Sequence, residues 1–311
     1  MSDWAIVLAG GEGKRMRHWI RDQFGHPYPK QYCKFYGNRT MLEHTIDRAC
    51  QLVEPEHVVT VIRKRHRVFL GPDRLPGTIL EQPVSRDTGP GLLLPAAHIL
   101  ARDPDALIHV FPADHFISPD DLFNLQMRRA AEIVRANPDY LVLLGAQPNR
   151  PESDYGWIQP GEPLDGWSEL VEDVPRKVLT FCEKPTQEMA ELLYARHCLW
   201  NTLIISCRIR KLWSLASVYM PEVHRLFELF VKQLPFLSGC PAAYQCQALL
   251  NLYALLPRTN LSYALLNRAA RHCLVMPLTG ILWSDWGRPE RVNHSLGMVE
   301  SCVSAQLELS T

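Results

Sequence analysis

Short apolar runs and amphipathic stretches alternate through the first half of the chain. "WAIVLA" (4–9), "HVVTVI" (57–62), "GTILEQP" (77–83), "ALIHVFPADH" (106–115) and "YLVLLGA" (140–146) are apolar at nearly consecutive positions and too short for helices. Such runs predict strands, several of them buried on both faces. In "TMLEHTIDRACQLV" (40–53) the apolar residues recur at helical spacing, and Thr40 with Glu43 makes a capping box. "TGPGLLLPAAHILARD" (88–103) predicts a helix with prolines near its first turns. "SPDDLFNLQMRRAAEIVRANP" (118–138) predicts another, with Ser118 as cap, Pro119 at the first helical position, and Asp120 and Asp121 at the positive end of the dipole.

The second half is mixed. "DYGWIQPG" (154–161) reads as a turn and short strand, "KVLTFCEKP" (177–185) as a strand, "TQEMAELLYARH" (186–197) as a helix and "NTLIIS" (201–206) as a strand. A helical region covers about 208–256, then a late strand "HCLVMPL" (272–278) and a polar turn "WSDWGRPERV" (283–292). Strands alternating with helices predict the α/β class, with ligands held beyond the carboxyl ends of the strands. No linker or internal repeat divides the chain. The expectation is one domain over 1–311, in two parts, one at about 1–150 and a substrate-binding one at about 151–295.

Composition narrows the function classes. Lys plus Arg and Asp plus Glu each number 33, so no global field draws the protein to nucleic acid or an anionic membrane. The nine cysteines include no C-x-x-C pair, which argues against a structural zinc site and for reduced thiols in a cytoplasm. The first apolar stretch has no basic region before it and is expected to be a strand rather than a signal peptide. No run approaches the ~20 apolar residues that span a bilayer. Exposed aromatic and Pro-rich segments point to a homodimer.

The chemistry begins at "VLAGGEGKRM" (7–16), where a strand runs into three glycines and two cations. A P-loop needs Ser or Thr after its Gly-Lys, and here Arg15 follows Lys14. A dinucleotide fingerprint needs Gly or Ala where Met16 stands, and an acidic residue about 20 positions on, where "PKQYCKFYG" (29–37) is basic. What remains is a glycine backbone able to approach phosphate, Arg15 as a forked donor and Lys30 as a point charge.

"LAGGEGKRM…PKQY" resembles the signature of the sugar-1-phosphate nucleotidyltransferases, and the "PKQ" form resembles the mannose-1-phosphate guanylyltransferases in particular. "EQPVSRDTGPGLLLPAA" (81–97), "FPADHFI" (111–117), "DYGWIQPG", "VLTFCEKP", "WNTLIIS" (200–206) and "WSDWG" (283–287) follow in the family's order, so the resemblance covers about 4–292. It implies a Rossmann-like, GT-A-like fold: a mixed, mostly parallel sheet with helices on both faces. It also implies a reaction in which the phosphate of a sugar 1-phosphate attacks the α-phosphorus of a nucleoside triphosphate and pyrophosphate leaves.

By that resemblance Asp114 and Asp285 hold Mg2+, and Arg15, Lys30, Asp114, Lys184 and Asp285 carry the chemistry. Leu8, Ala9, Gly10, Gly11, Gly13, Lys14, Arg15, Glu81, Arg86, Thr88 and Asp114 meet the nucleotide. Tyr155, Gly156, Glu183, Lys184 and Asn201 meet the sugar phosphate. A phosphate monoester, with a second pKa of about 6, is already largely ionised at neutral pH. It needs no general base, only charge neutralisation and in-line positioning.

Three departures bear on the sugar. Arg17, Trp19 and Arg21 replace the usual order of the R-x-W-P-x-S-R segment, "TLIIS" follows "WN", and Trp286 stands where a small aliphatic residue is usual. GTP and mannose 1-phosphate are the leading expectation. Another sugar phosphate or base, or a silent nucleotide-sugar-binding regulator, are the alternatives. With the last motif at 283–287, no isomerase domain or β-helix appendage is expected after it.

Overall fold

The first apolar run forms β1 (Asp3–Ala9), and its side chains alternate between two cores, Trp4 and Ile6 in one, Ala5, Val7 and Ala9 in the other. A strand apolar on both faces belongs inside a sheet covered on both sides, because either face left wet would forfeit its burial. The computed structural model describes residues 2–71, 75–167, 173–237 and 242–308. The remaining strands are β2 (Val58–Arg63), β3 (Thr78–Gln82), β4 (Leu107–Pro112), β5 (Phe116–Ser118), β6 (Leu141–Ala146), β7 (Gly156–Pro163), β8 (Arg176–Glu183), β9 (Leu199–Arg208), β10 (Cys273–Pro277) and β11 (Leu282–Ser284). Nine of them make one sheet in the order β3-β2-β1-β4-β9-β6-β10-β8-β7, while β5 and β11 pair separately.

The helices are α1 (Arg17–Phe24), α2 (Met41–Cys50), α3 (Thr88–Leu100), α4 (Asp120–Ala136), α5 (Gln187–Ala195), α6 (Ile209–Tyr219), α7 (Pro221–Leu237), α8 (Ala242–Leu255) and α9 (Pro289–Glu308). Apolar residues of α2, α4 and α5 build one core and those of α3, α6, α7 and α8 the other, on opposite faces of the sheet. This is the α/β architecture that the alternating pattern predicts.

Strand direction decides what meets at the sheet's edge. β1, β2, β3 and β4 run parallel, so the carboxyl ends of β1 and β4 lie side by side, with Leu8 opposite Pro112. β9 runs antiparallel between β4 and β6 and therefore starts at that same edge, where Asn201 sits opposite Gly145. β7 begins there too, with Gly156 opposite Glu183 at the end of β8. β10 is parallel to β6, with Pro277 opposite Gly145, so the chain leaves it at this edge and returns through β11.

Several local expectations differ from what forms. Ser118 does not cap α4. Its backbone pairs with Leu282 in the β5–β11 ribbon, Pro119 takes the cap position, and no side chain caps the helix. Asp120 does lie in the first turn, where it pairs with the buried Arg48 guanidinium at 3.1 Å. The polar "WSDWGRPERV" turn is shorter than expected, because β11 precedes it and α9 starts at Pro289. Pro at the first helical position followed by Glu290 is a helix start. The helical region expected over 208–256 forms as α6, α7 and α8, with 238–241 outside the described residues. Of the nine cysteines the seven described are free, four of them buried; Cys240 and the side chain of Cys302 lie outside the described residues.

The Thr40–Glu43 capping box forms in full. Thr40 Oγ1 accepts the Glu43 amide at 3.2 Å, and Glu43 Oε2 accepts the Thr40 amide at 2.6 Å. Thr40→Ala removes one of these acceptors and is expected to lower stability by about 1 kcal/mol, read as a lower urea midpoint at unchanged slope.

Candidate active site

The loop after β1 is held open by the segment that follows Pro29. Gln31, almost fully buried, donates through Nε2 to the carbonyls of Ala9 (2.7 Å) and Gly11 (2.9 Å), and the Tyr32 hydroxyl donates to Ala9 (3.3 Å). With those carbonyls turned inward, Gly10 and Gly11 line the cleft above. Gly13 adopts φ +58, and a Cβ there would lie 3.1 Å from the Lys30 amide nitrogen. Glycine is thus required both by the left-handed turn and by the close passage of the Lys30 backbone. "PKQY" is therefore one device: Lys30 points at the Asp114 carboxylate and the Asp285 carbonyl while its two neighbours brace the glycine loop.

Lys30 is only 4% exposed. Its ammonium lies 3.1 Å from Asp114 Oδ2 and also donates to the backbone carbonyl of Asp285. An unpaired buried ammonium costs several kcal/mol, so these acceptors are a condition of its burial. It joins two aspartates that lie far apart in sequence.

The Asp285 carboxylate is asymmetric. Oδ1 accepts from Tyr155 Oη (2.8 Å), the Gly287 amide (2.9 Å) and Arg291 Nη1 (2.7 Å), whereas among the described residues Oδ2 accepts only from Arg15 Nη2, at 3.4 Å. Burial would raise its pKa, but Lys30, Arg291, the Tyr155 hydroxyl and the Gly287 amide hold it well below the usual carboxylate range. Gly287 leaves no room for a side chain, since its Cβ would meet Asp285 Oδ2 at 2.5 Å.

The two arginines on Asp285 differ in kind. Arg291 is 4% exposed, also pairs with Glu152 (2.8 Å) and Asp154 (3.1 Å), and lies over the Tyr155 ring. Arg15 is 59% exposed and touches its carboxylates at 3.4 and 3.9 Å. Exposed pairs of that length are worth little, so Arg15 is available to a phosphate while Arg291 is committed to the scaffold.

Burial would raise the pKa of Asp114, but the Lys30 ammonium against it holds it below the ordinary carboxylate value, so it too stays ionised. Burial lowers the pKa of His115 despite the neighbouring Asp114, leaving the ring neutral. The Trp283 indole N–H can only donate, and it meets His115 Nδ1 at 3.3 Å. The neutral ring therefore carries its proton on Nε2, 3.8 Å from Asp114 Oδ1. His115 packs edge to face with Trp283 and also borders the cleft.

Two cavities meet at this edge. One of about 340 Å³ is lined by Leu8, Gly10, Gly11, Gln82, Thr88 and Asp114 among others; the second, about 490 Å³, is lined by Gly13, Lys14, Arg15, Lys30, Arg63 and Gly287 among others. Ser85, Asp114 and Arg258 border both.

Of the residues expected to meet a nucleotide, Leu8, Gly10, Gly11, Gly13, Lys14, Arg15, Thr88 and Asp114 line this double cleft, and Ala9, Glu81 and Arg86 do not. Ala9 is buried under its carbonyl's two hydrogen bonds. Glu81 turns outward to an ion pair with Arg67. Arg86 donates through Nε to the Tyr253 carbonyl at 3.0 Å and so ties the loop before α3 to the end of α8.

The sugar-phosphate set also converges. Gly156 lies so close to Glu183 and Asn201 that a Cβ would meet Glu183 Oε2 at 2.6 Å and Asn201 Cβ at 3.3 Å. The Lys184 amide donates to the Tyr155 carbonyl at 3.2 Å, and Lys184 adopts φ +47 to turn the chain there. Burial raises the pKa of Glu183, and Lys184 and Ser262 offset this only in part. Trp157 and Trp200 are buried against each other, as expected of packing residues. Trp286 is a correction: it is fully buried, stacked on Phe116 at 4.6 Å and edge-on to Phe35 and Tyr36. It wedges the turn beneath Asp285 and does not line either cavity.

Pattern reading missed Arg291, Gln31, Glu12 and Arg63. The Glu12 carboxylate is ringed by Lys14 (3.7 Å), Arg17 (4.0 Å), Arg65 (2.8 Å) and Arg63. Only the Pro289–Glu290 helix start gave a signal that Arg291 sits in the first turn of a helix aimed back at Asp285.

The profile of the nucleotidyl transferase family matches residues 4–291, and the chain belongs to that family. It is 31% identical over 224 residues to a mannose-1-phosphate guanylyltransferase of Klebsiella pneumoniae, covering 70% of this chain and 45% of that one. It is 29% identical over 298 residues to one of Escherichia coli strain K12, covering 91% and 58%. The chain thus spans about half the length of the curated relatives it matches. A crystal structure from Thermus thermophilus, described as a mannose-1-phosphate geranyltransferase, superposes with a TM-score of 0.76 at 26% identity, covering 92% of this chain and 77% of that one.

Arg291→Met leaves Glu152, Asp154 and Asp285 without their shared buried cation. It is expected to cost about 3–5 kcal/mol in urea unfolding, whereas Arg15→Met is expected to stay within about 0.5 kcal/mol of the wild type.

Proposed function

We propose that this site transfers a nucleotidyl group from a nucleoside triphosphate to a sugar 1-phosphate, with GTP and mannose 1-phosphate as substrates, giving GDP-mannose and pyrophosphate. The observation that carries the reading is the buried Lys30 ammonium joining Asp114 to Asp285 where two cavities meet. One cavity opens from the glycine backbone toward Thr88 and suits a nucleoside; the other is lined by Lys14, Arg15, Lys30 and Arg63 and suits a polyphosphate. The named relatives support the choice of base and sugar.

Asp114 and Asp285 are suited to hold Mg2+. Each is an ionised carboxylate; among the described residues Asp285 Oδ2 accepts one long bond, from Arg15 Nη2 at 3.4 Å, and the nearest donor to Asp114 Oδ1 is His115 Nε2 at 3.8 Å. Magnesium takes one or two carboxylates and fills its shell with phosphate oxygens and water. When bound, it would neutralise phosphate charge and favour departure of pyrophosphate. Arg15 exchanges its loose carboxylate contacts for phosphate oxygens, and Lys30 neutralises charge from below. Glu183, Gly156 and Asn201 line the approach of the sugar, where the missing Cβ of Gly156 lets a ring come close to the backbone. No base acts on the nucleophile, which arrives ionised.

No helix among the described residues is long and apolar enough to cross a membrane. The seven free cysteines support a reducing, cytoplasmic setting.

Pyrophosphate release, measured with magnesium, each NTP in turn and a panel of sugar 1-phosphates, is expected to be fastest for GTP with mannose 1-phosphate. No release with any pair would remove the enzymatic reading, and release only with glucose 1-phosphate would remove the mannose assignment. Asp285→Asn keeps an oxygen for the three donors on Oδ1, and Glu152 and Asp154 still compensate Arg291. It is expected to lower kcat by about a hundredfold or more with an unchanged far-UV CD spectrum. Near-normal turnover would show that Asp285 holds no metal.

A further inference from the structure

Among the cations that line the double cleft, Lys14 and Arg63 pair with Glu12, Arg15 with Asp154 and Asp285, and Lys30 with Asp114. Arg258 has no carboxylate partner among the described residues. It is exposed, and with Ser85 and Asp114 it borders both cavities. It comes from the segment after α8 and lines these cavities together with Gly10, Gly11, Gly13 and Lys14 of the loop after β1.

The backbone beneath Arg258 is fixed. The Thr259 amide donates to the Arg86 carbonyl (3.0 Å), the Gly89 amide to the Thr259 carbonyl (2.8 Å), and the Leu261 amide to Thr88 Oγ1 (2.8 Å). A Cβ on Gly89 would lie 2.8 Å from the Thr259 oxygen, so the start of α3 admits this segment only because residue 89 is glycine. The long arginine side chain is thereby mounted on a rigid base and left without a carboxylate partner.

We infer that Arg258 is a nucleotide-binding residue, whose guanidinium donates to the triphosphate where the nucleoside cavity meets the polyphosphate cavity. The inference rests on the nucleotidyl-transfer reading and adds a cation from the second half of the chain to it. The position matters because the phosphorus nearest the nucleoside is the one attacked. With Asp114 on one side and Arg258 on the other, that phosphate would be held between the carboxylate that takes the metal and a forked donor. An arginine that pairs only when substrate arrives spends no energy breaking a ground-state ion pair, unlike Arg63, which must first leave Glu12.

The test compares Arg258→Ala and Arg258→Lys with the wild type. Binding of ATP, CTP, GTP, UTP and dTTP with magnesium, and separately of mannose 1-phosphate, is measured by calorimetry, and pyrophosphate release is followed while each substrate is varied. For whichever triphosphate the wild type binds tightest, Arg258→Ala is expected to weaken binding by about ten- to a hundredfold. Arg258→Lys is expected to recover part of it, because it restores the charge without the fork. Affinity for mannose 1-phosphate and the melting temperature are expected to stay at wild-type values. Unchanged triphosphate affinity in Arg258→Ala, or an equal loss for both substrates, overturns the inference. A wild type that binds no triphosphate at all overturns the nucleotidyl-transfer reading itself, a distinct result.

Discussion

The contact on which the rest depends is the buried Lys30 ammonium held between the Asp114 carboxylate and the Asp285 backbone carbonyl. A lysine does not stay buried without acceptors, and Lys30 in turn helps keep both aspartates ionised, Asp114 by direct contact and Asp285 together with Arg291. The phosphate loop is tied to the same point, since Gln31, next to Lys30, fixes the carbonyls of Ala9 and Gly11. Moving Lys30 would disturb the loop and both carboxylates together.

Around that contact the charges sort by burial. Arg291, sealed under Tyr155 and shared by three carboxylates, is structural, as is Arg48 beneath α4. Arg15 stands exposed at the cleft with long carboxylate contacts and Arg258 with none among the described residues, while Arg63 lies beneath, closely paired with Glu12. Glu12 occupies the centre of the basic cluster on the polyphosphate side, where a carboxylate limits the mutual repulsion of four cations. A net-neutral chain can in this way present a locally cationic cleft, because Lys14, Arg15, Lys30, Arg63 and Arg258 line one cavity against the two carboxylates Glu12 and Asp114.

Topology explains why residues far apart in sequence converge. Parallel β1 and β4 place the phosphate loop beside Asp114, and antiparallel β9 delivers Asn201 to the same edge from the opposite direction. β10 then carries the chain back, and the β5–β11 ribbon presents Asp285 directly over Asp114's own loop. Trp286 completes the arrangement from below. A large ring stacked on Phe116 fills the space under the turn, so the substitution that suggested a changed sugar pocket acts on packing.

Apart from α1, β5, β11 and α9, the order of strands and helices was legible from periodicity, because burial on two faces leaves continuous apolar runs and burial on one face of a helix leaves a 3.6-residue repeat. Most of the site could be named from short motifs, since glycines at a tight turn and an aspartate at a strand end are local requirements. What the sequence alone could not determine is which charged residues pair. Glu81 and Arg86 sit in a motif beside the cleft yet turn to Arg67 and to the Tyr253 carbonyl, while Arg258 and Arg291 lie in no recognised motif yet reach the site. A side chain's sequence neighbours fix its backbone conformation, but its electrostatic partner is chosen by long-range proximity. Only the assembled sheet, with β9 antiparallel to its neighbours and α9 returning toward Asp285, supplies that proximity.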